Sequence, residues 1–583
     1  MLIFIKALLY FILLLCFSTI KVQLMKQLFR RKNIIDLASK KDGEDPSGLK
    51  RILSVRDLTF FGIAAIIGAG IFSTIGRASY DGGPAVSLLF LMVAVACIFT
   101  ALCYAQFSSM IPVSGSAYTY AYASLGEIFA WIIGWALILE YAVSNMVVAI
   151  SWSEYFTSML QGFGIKWPDW LAIDAGSASR AYEQVLHAKV GEHLPSNIIA
   201  AAKTYETAPV IGNLHILFDL PAGLITVLIT ALVFVGIKES KNVSNGLVIL
   251  KLGIIALVIV AGAFFVKPEN WSPFAPNGVG GILKGVAAVF FAFIGFDSIS
   301  TTAEECKNPQ RDMPRAMIYS LVVCTVLYII ISLVLTGMVN YKELRVDDPL
   351  AFVFGKVGMN FIAGVISVSA VIAITSALLV YQIGQPRIWM TMSRDGLLGK
   401  KFGKIHPKYK TPSYSTIITG ILVGLPAMFL DMQFVVDLTS VGTFFAFIMV
   451  CSGILYLDYK GYSKTAKFKI PYINGKYLIG ILLIATGIIV YNKFGIALIK
   501  ESIAEKPLLV VFIAVWAGLA IAALKYKFSL IPILGILFNL YLMTELGLSN
   551  WTMFLIWLAI GLVIYFTYGY KNSKLNKKYE QLV

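Results

Sequence analysis

IIGAGIF, Ile66 to Phe72, puts two glycines in the middle of an apolar helix. The stretch around it, roughly 58–75, is apolar and long enough to enter a bilayer. A spanning helix must satisfy its backbone internally, because lipid offers no hydrogen-bond partner. Glycine loosens a helix and leaves its amides uncovered. Gly68 and Gly70 therefore predict a span that opens at membrane depth, onto something other than lipid. The freed N–H groups at the start of the next half-helix would form an anion site.

The rest of the chain agrees with a membrane setting. Of its 583 residues 58% are hydrophobic and only 14% charged, against about 25% charged in soluble domains. The mean hydropathy is +0.79. From Arg56 onward fourteen apolar spans are expected, approximately 57–78, 84–108, 127–158, 217–237, 244–266, 280–303, 314–339, 358–393, 413–430, 434–457, 477–494, 507–524, 528–545 and 551–570. The net charge of +16 is explained by this topology rather than by nucleic acid. Lys and Arg crowd alternate loops, such as KNPQRDMPR (307–315) and KGYSKTAKFK (460–469). Cytoplasmic loops collect such residues, so both termini are placed in the cytoplasm of a multi-pass protein of the cell membrane (plasma or inner).

Residues 1–24 resemble a signal peptide or a short span without a convincing cleavage site. They are read as a mis-assigned start or an extension, with an extra span as the alternative. Residues 25–56 form a basic cytoplasmic N-terminus. Residues 57–458 form a ten-helix core, and 459–583 add four helices and a tail. The six cysteines (Cys16, Cys97, Cys103, Cys306, Cys324, Cys451) have neither metal-ligand nor disulfide-like spacing and read as reduced packing residues. The long external loop, about 160–215, carries His187, His193 and His215 in no metal pattern. It reads as a solvated cover over the outer mouth. Nothing in the sequence asks for a metal or a cofactor.

A second interruption falls five spans after the first, at IGFDS (294–298). Paired broken helices in two five-span halves point to an inverted-repeat transporter with a midplane site. Asp297 lies inside this second apolar span, where a charge is expensive and usually functional. It suits either a substrate or gate role, or the cap of the second half-helix. Glu304, Glu305, Lys307, Arg311 and Arg315 follow at the cytoplasmic exit and read as an ion-paired lock. Glu140, deep in span 3, suits a contact to a cationic group, a proton carrier, or an interhelical hydrogen bond. Lys251 in span 5 suits either a buried functional ammonium or a side chain snorkelling to the cytoplasmic face.

Several stretches resemble the cationic amino acid transporter family of the amino acid–polyamine–organocation superfamily. They are IIGAGIF, PVSGSAYTYAYASLGEIFAWIIGW (112–135), ILEYAVSN (138–145), FFAFIGFDSISTTAEECKNPQRDMP (290–314), QPRIWMTMSRDGLLG (385–399) and WLAIGLVIYFTYGYKNSKL (557–575). The resemblance covers about 27–578. It implies an all-α polytopic, leucine-transporter-like 5+5 inverted repeat with helices 1 and 6 broken. It also implies alternating access and amino acid substrates. By the same resemblance, N–H groups at Gly68, Ala69 and Gly70 would take the substrate carboxylate. Carbonyls of Ile66, Phe291, Ala292 and Ile294 would take its ammonium. Phe296 would be an aromatic lid, and Glu140 and Tyr328 would face the cavity. Lys251 would stand in for sodium, giving a sodium-independent carrier that moves protons or exchanges.

The chain departs from the family pattern at two places. Position 69 is Ala where many relatives carry Thr or Ser, and Pro386 stands within Gln385-Pro386-Arg387 where Thr is usual, removing a donor. The function expected is a secondary amino acid transporter, with partners limited to substrate, protons and lipid. The alternatives are a polyamine or amine carrier and an amino acid-sensing receptor. An enzyme is not expected, because no nucleophile–base pair or phosphate loop is present.

Overall fold

The computed structural model describes residues 28–32, 51–68, 70–188, 194, 196–212, 214–235, 240–346, 348–409 and 411–576. The readings for residues 1–24, Cys16, Ala69 and His193 lie outside the described residues. Among the described residues, apart from one pair of two-residue antiparallel strands, Val210–Ile211 and Leu214–His215, the regular elements are helices.

Chain order begins with α1 (Val55–Ile66), a π-helical turn at Gly70–Thr74, α2 (Ile75–Gly82), α3 (Val86–Met110), α4 (Ser116–Ser124) and α5 (Glu127–Gly162). A cap follows, built on α6 (Ala175–Leu186) and α7 (Ser196–Thr207). The chain continues through α8 (Leu220–Val235), α9 (Ser240–Ala263), α10 (Gly278–Lys284), α11 (Val286–Phe291) and a 3-10 stretch at Phe296–Glu305. Then come α12 (Pro309–Met338), α13 (Pro349–Lys356), α14 (Asn360–Arg394), α15 (Ser413–Ala427) and α16 (Met432–Tyr459). Then follow α17 (Leu478–Glu505), α18 (Leu508–Tyr526), α19 (Leu530–Thr544), α20 (Leu548–Ile564), a π-helical turn at Tyr565–Gly569 and a short helix, Tyr570–Asn572.

Among the described residues eight helices are long and apolar enough to cross a membrane. A ninth crossing is a bent pair, Gly278–Lys284 with Ala288–Glu305, turning by 42°. Four shorter apolar helices fall inside expected spans. One of them, α15 with 15 residues, is shorter than the expected 413–430, and α8 is described over Leu220–Val235. Polar and proline residues mark their described ends. Asp219 accepts the Ala222 N–H (3.0 Å) at the head of α8, and Pro412 and Pro426 bracket α15. The two helices pack against each other and both touch α5.

The core is centred on α5 and α14, the longest helices, which lie side by side. In α5 the most apolar window is 94% buried within the protein, whereas in α18 it is 17% buried. Helix α5 is thus a central post, and α18 presents its apolar surface to lipid.

The loop expected at 160–215 folds into α6 and α7, which carry small cores of their own around Ala178, Ala181 and Ala202. Asp174 caps α6 by accepting the Ser177 N–H (2.8 Å), and burial holds its carboxyl above the ordinary range. The Arg180 guanidinium pairs with Asp431 at the head of α16, fastening the cap to the bundle. His215 stacks on Tyr205 (4.2 Å) and its Nδ1 lies 3.0 Å from the Tyr205 carbonyl, a packing role. No cluster of three metal-ligating side chains occurs among the described residues.

Candidate functional site

Helix α1 starts on a capping box, in which Ser54 and Asp57 satisfy each other's backbone amides (2.9 and 3.5 Å). It ends at Ile67, whose ψ of 85° leaves the helical region. Gly68 N–H turns back to the Ile66 carbonyl (3.0 Å), and the chain resumes as the π turn from Gly70. The second break begins at Gly295, with φ of +116°, a conformation that favours glycine. The two breaks touch. A β-carbon on Gly295 would lie 2.8 Å from Ala65 Cβ, and one on Gly70 would collide with the backbone of Ala292. The glycines thus open the helices and also let the openings cross.

The carbonyls freed at the crossing have named donors. Ile66 O accepts the Tyr328 hydroxyl (2.9 Å). Ala64 O and Ile67 O accept Lys251 Nζ (3.2 and 2.6 Å). Lys251 is fully buried and turned toward the break, so its alternative as a snorkelling side chain does not hold. Ile294 O and Ala65 O share the Tyr381 hydroxyl (3.2 and 3.4 Å). Phe291 O accepts the Ile294 N–H (3.2 Å) in the turn that ends α11. Ala292 is buried against Gly70.

Beyond the crossing lie two buried neighbouring carboxyl groups, Asp297 and Glu140. Asp297 sits at the head of the 3-10 stretch, where free N–H groups favour negative charge. The Tyr141 hydroxyl donates to its Oδ2 (3.4 Å), and its Oδ1 meets no partner among the described residues. Neither carboxylate oxygen of Glu140 has a hydrogen bond among the described residues. The nearby Thr443 hydroxyl is committed to Thr439 O (3.1 Å). Phe296 is fully buried between Tyr104 (5.9 Å) and Phe447 (5.1 Å).

At one end of the bundle, Glu305 pairs with Arg387 (2.7 Å) and Glu304 with Arg394 (3.6 Å). The partners thus come from α14, rather than from the neighbouring Lys307, Arg311 and Arg315. Arg387 also donates to Ile383 O (2.9 Å), beside the donor that Pro386 lacks, and α14 continues unbroken. At the other end, a cavity of about 610 Å³ lies under the cap. Its floor includes Thr74 and Ala288, on the cap side of the two breaks, and Arg77, Glu154 and Arg345 line it. The Tyr155 hydroxyl closes on Phe72 O (2.6 Å) at the same level.

Of the residues singled out from the sequence, the structure gathers Ile66, Gly68, Gly70, Lys251, Ala292, Ile294 and Tyr328 at the crossing. Glu140, Phe296 and Asp297 lie beside it. Sequence reasoning missed Tyr381 and Tyr141. LLVYQIG around Tyr381 reads as ordinary span sequence, and only its spacing against Gln382 and Gln385 hints at a polar face.

The profile described as "Amino acid permease" matches residues 53–519, and that described as "C-terminus of AA_permease" matches 529–573. The chain is 38% identical over 550 residues to the branched-chain amino acid permease BcaP of Bacillus subtilis, covering 94% of this chain and 99% of that one. It is 37% identical over 554 residues to the methylthioribose transporter of the same organism, covering 95% and 100%. It is 31% identical over 620 residues to the vacuolar cationic amino acid transporter 4 of Arabidopsis thaliana, covering 95% and 97%.

Proposed function

Because this chain belongs to the amino acid permease family, within the amino acid–polyamine–organocation superfamily, we propose that it moves amino acids by alternating access. It is a membrane transporter and not an enzyme. The observation that carries the reading is the crossing of two broken helices, with carbonyl ends and a glycine-rich amide turn meeting in one buried place. A zwitterion fits such a place. Its carboxylate faces the N–H groups of Gly68, Ala69 and Gly70, and its ammonium faces the carbonyls of Ile66, Phe291, Ala292 and Ile294.

In this reading the fold is a 5+5 inverted repeat with fourteen crossings. The ten-helix core is 57–458 and the additional helices lie in 459–583. The protein sits in the cell membrane with both termini in the cytoplasm. Phe296 is the lid and Asp297 belongs to the gate. Glu140 and Tyr328 face the substrate, and the side-chain pocket sets specificity. Lys251 holds the end of α1 as a bound cation would, so transport needs no sodium and is linked to protons or to exchange.

Counterflow in proteoliposomes tests this reading with the proteinogenic amino acids, putrescine and methylthioribose. It is run with and without sodium and with and without a pH gradient. Amino acids are expected to exchange in the absence of sodium. Exchange of only the two compounds lacking a carboxylate would overturn the amino acid reading, and strict sodium dependence would overturn the role of Lys251.

A further inference from the structure

Tyr381 stands where two helix ends meet, and its single proton is divided. Its hydroxyl reaches Ile294 O at 3.2 Å and Ala65 O at 3.4 Å. Ordinary O–H···O bonds are about 2.7–2.8 Å, and Tyr328, which serves Ile66 O alone, makes its bond at 2.9 Å. Tyr381 therefore holds two acceptors loosely, one on each broken helix. Carbonyls without a donor at this depth are costly, so even a divided proton is worth having. An ammonium offers three donors and forms shorter, charge-assisted bonds.

We propose that the Tyr381 hydroxyl is a positioning group that competes with the substrate ammonium for Ala65 O and Ile294 O. The inference rests on the transport reading above and adds a residue and a chemical requirement to it. The hydroxyl ties the two half-helices together until a molecule bearing an ammonium takes over both carbonyls. Ligands of the same shape without that ammonium gain nothing by displacing it. The aromatic ring stays where it is, edge-on to Tyr141 at 5.9 Å, so the exchange involves the hydroxyl and not the packing.

Tyr381→Phe keeps the ring and removes the competitor. The full chain in lipid nanodiscs is assayed for thermal stability and for binding of the proteinogenic amino acids. The tightest of these is compared with its des-amino counterpart, such as 4-methylpentanoate for L-leucine. The variant is expected to melt lower without ligand, and to bind the amino acid about threefold to tenfold more tightly, the range of one interhelical hydrogen bond. Affinity for the des-amino acid stays unchanged. Weaker or unaltered amino acid binding in Tyr381→Phe would overturn the proposal, and so would an equal gain for the des-amino acid. Wild-type protein that binds no amino acid would instead remove the transport reading, and this proposal with it.

Discussion

A β-carbon at Gly70 has nowhere to go, because Ala292 already fills the space beside it. Any substitution therefore acts first on the crossing of the two helices and only then on a bound carboxylate. Gly70→Ala is expected to abolish counterflow and to lower the melting temperature, with overpacking costing about 1–3 kcal/mol. Wild-type exchange together with wild-type melting in that variant would contradict the contact with Ala292. Lys251 makes a related point about direction. Its stem permits either snorkelling or burial, and the sequence left both open. The carbonyls of Ala64 and Ile67 decide it, because they are three-dimensional neighbours far away along the chain. Tyr381 was hidden for the same reason, since its worth lies in two acceptors contributed by other helices.

Helix breaks were more legible than helix ends. GAG and IGFDS announce themselves because glycine and aspartate are out of place at membrane depth. The shortness of α15 was not visible, since hydropathy runs past Pro426 near its end. The cap helices α6 and α7 are hard to tell from a loop in the sequence, although Asp174 supplies an N-cap. Their apolar stripes are narrow and bury mostly alanine. The ion pairs at the end of the 3-10 stretch also belong to this scale, because they tie Phe296–Glu305 to α14. Cys306 is buried directly beside Glu305. Arg387→Met should loosen that tie. In a Cys16→Ser background, a membrane-impermeant maleimide is expected to label Cys306 several-fold faster when Arg387 is replaced. Equal labelling rates would show that the pair does not hold this end closed.

Across the whole molecule, segments far apart in the chain, around Arg30 and around Tyr565–Ser573, converge on one carboxylate. Glu127, at the head of α5, accepts Arg30 Nε and Nη2 (2.8 and 2.6 Å), Tyr122 (2.6 Å), Tyr565 (2.9 Å) and Ser573 (2.5 Å). Arg30 also donates to Asn576 (2.6 Å), and Lys32 pairs with Asp395 (2.6 Å) at the end of α14. Both members of the Arg30–Glu127 pair are almost completely buried. Removing one partner from such a pair leaves an uncompensated charge and costs about 3–5 kcal/mol. Arg30→Met and Glu127→Gln are each expected to lower the melting temperature clearly, and the double variant to recover much of the loss. Additive losses in the double variant would mean that the two residues act separately.

Lys251 has one consequence that its hydrogen bonds do not express. A cation dissolved in water has a different chemical potential on each side of a membrane, and a carrier that takes it along can do osmotic work. An amine fixed to a side chain stays with the protein in every cycle, so it draws no free energy from a sodium gradient. Holding Ala64 and Ile67 with a tethered ammonium secures the shape of α1 at any ionic composition. In exchange, on the proposed reading, uphill accumulation draws on a gradient other than that of sodium.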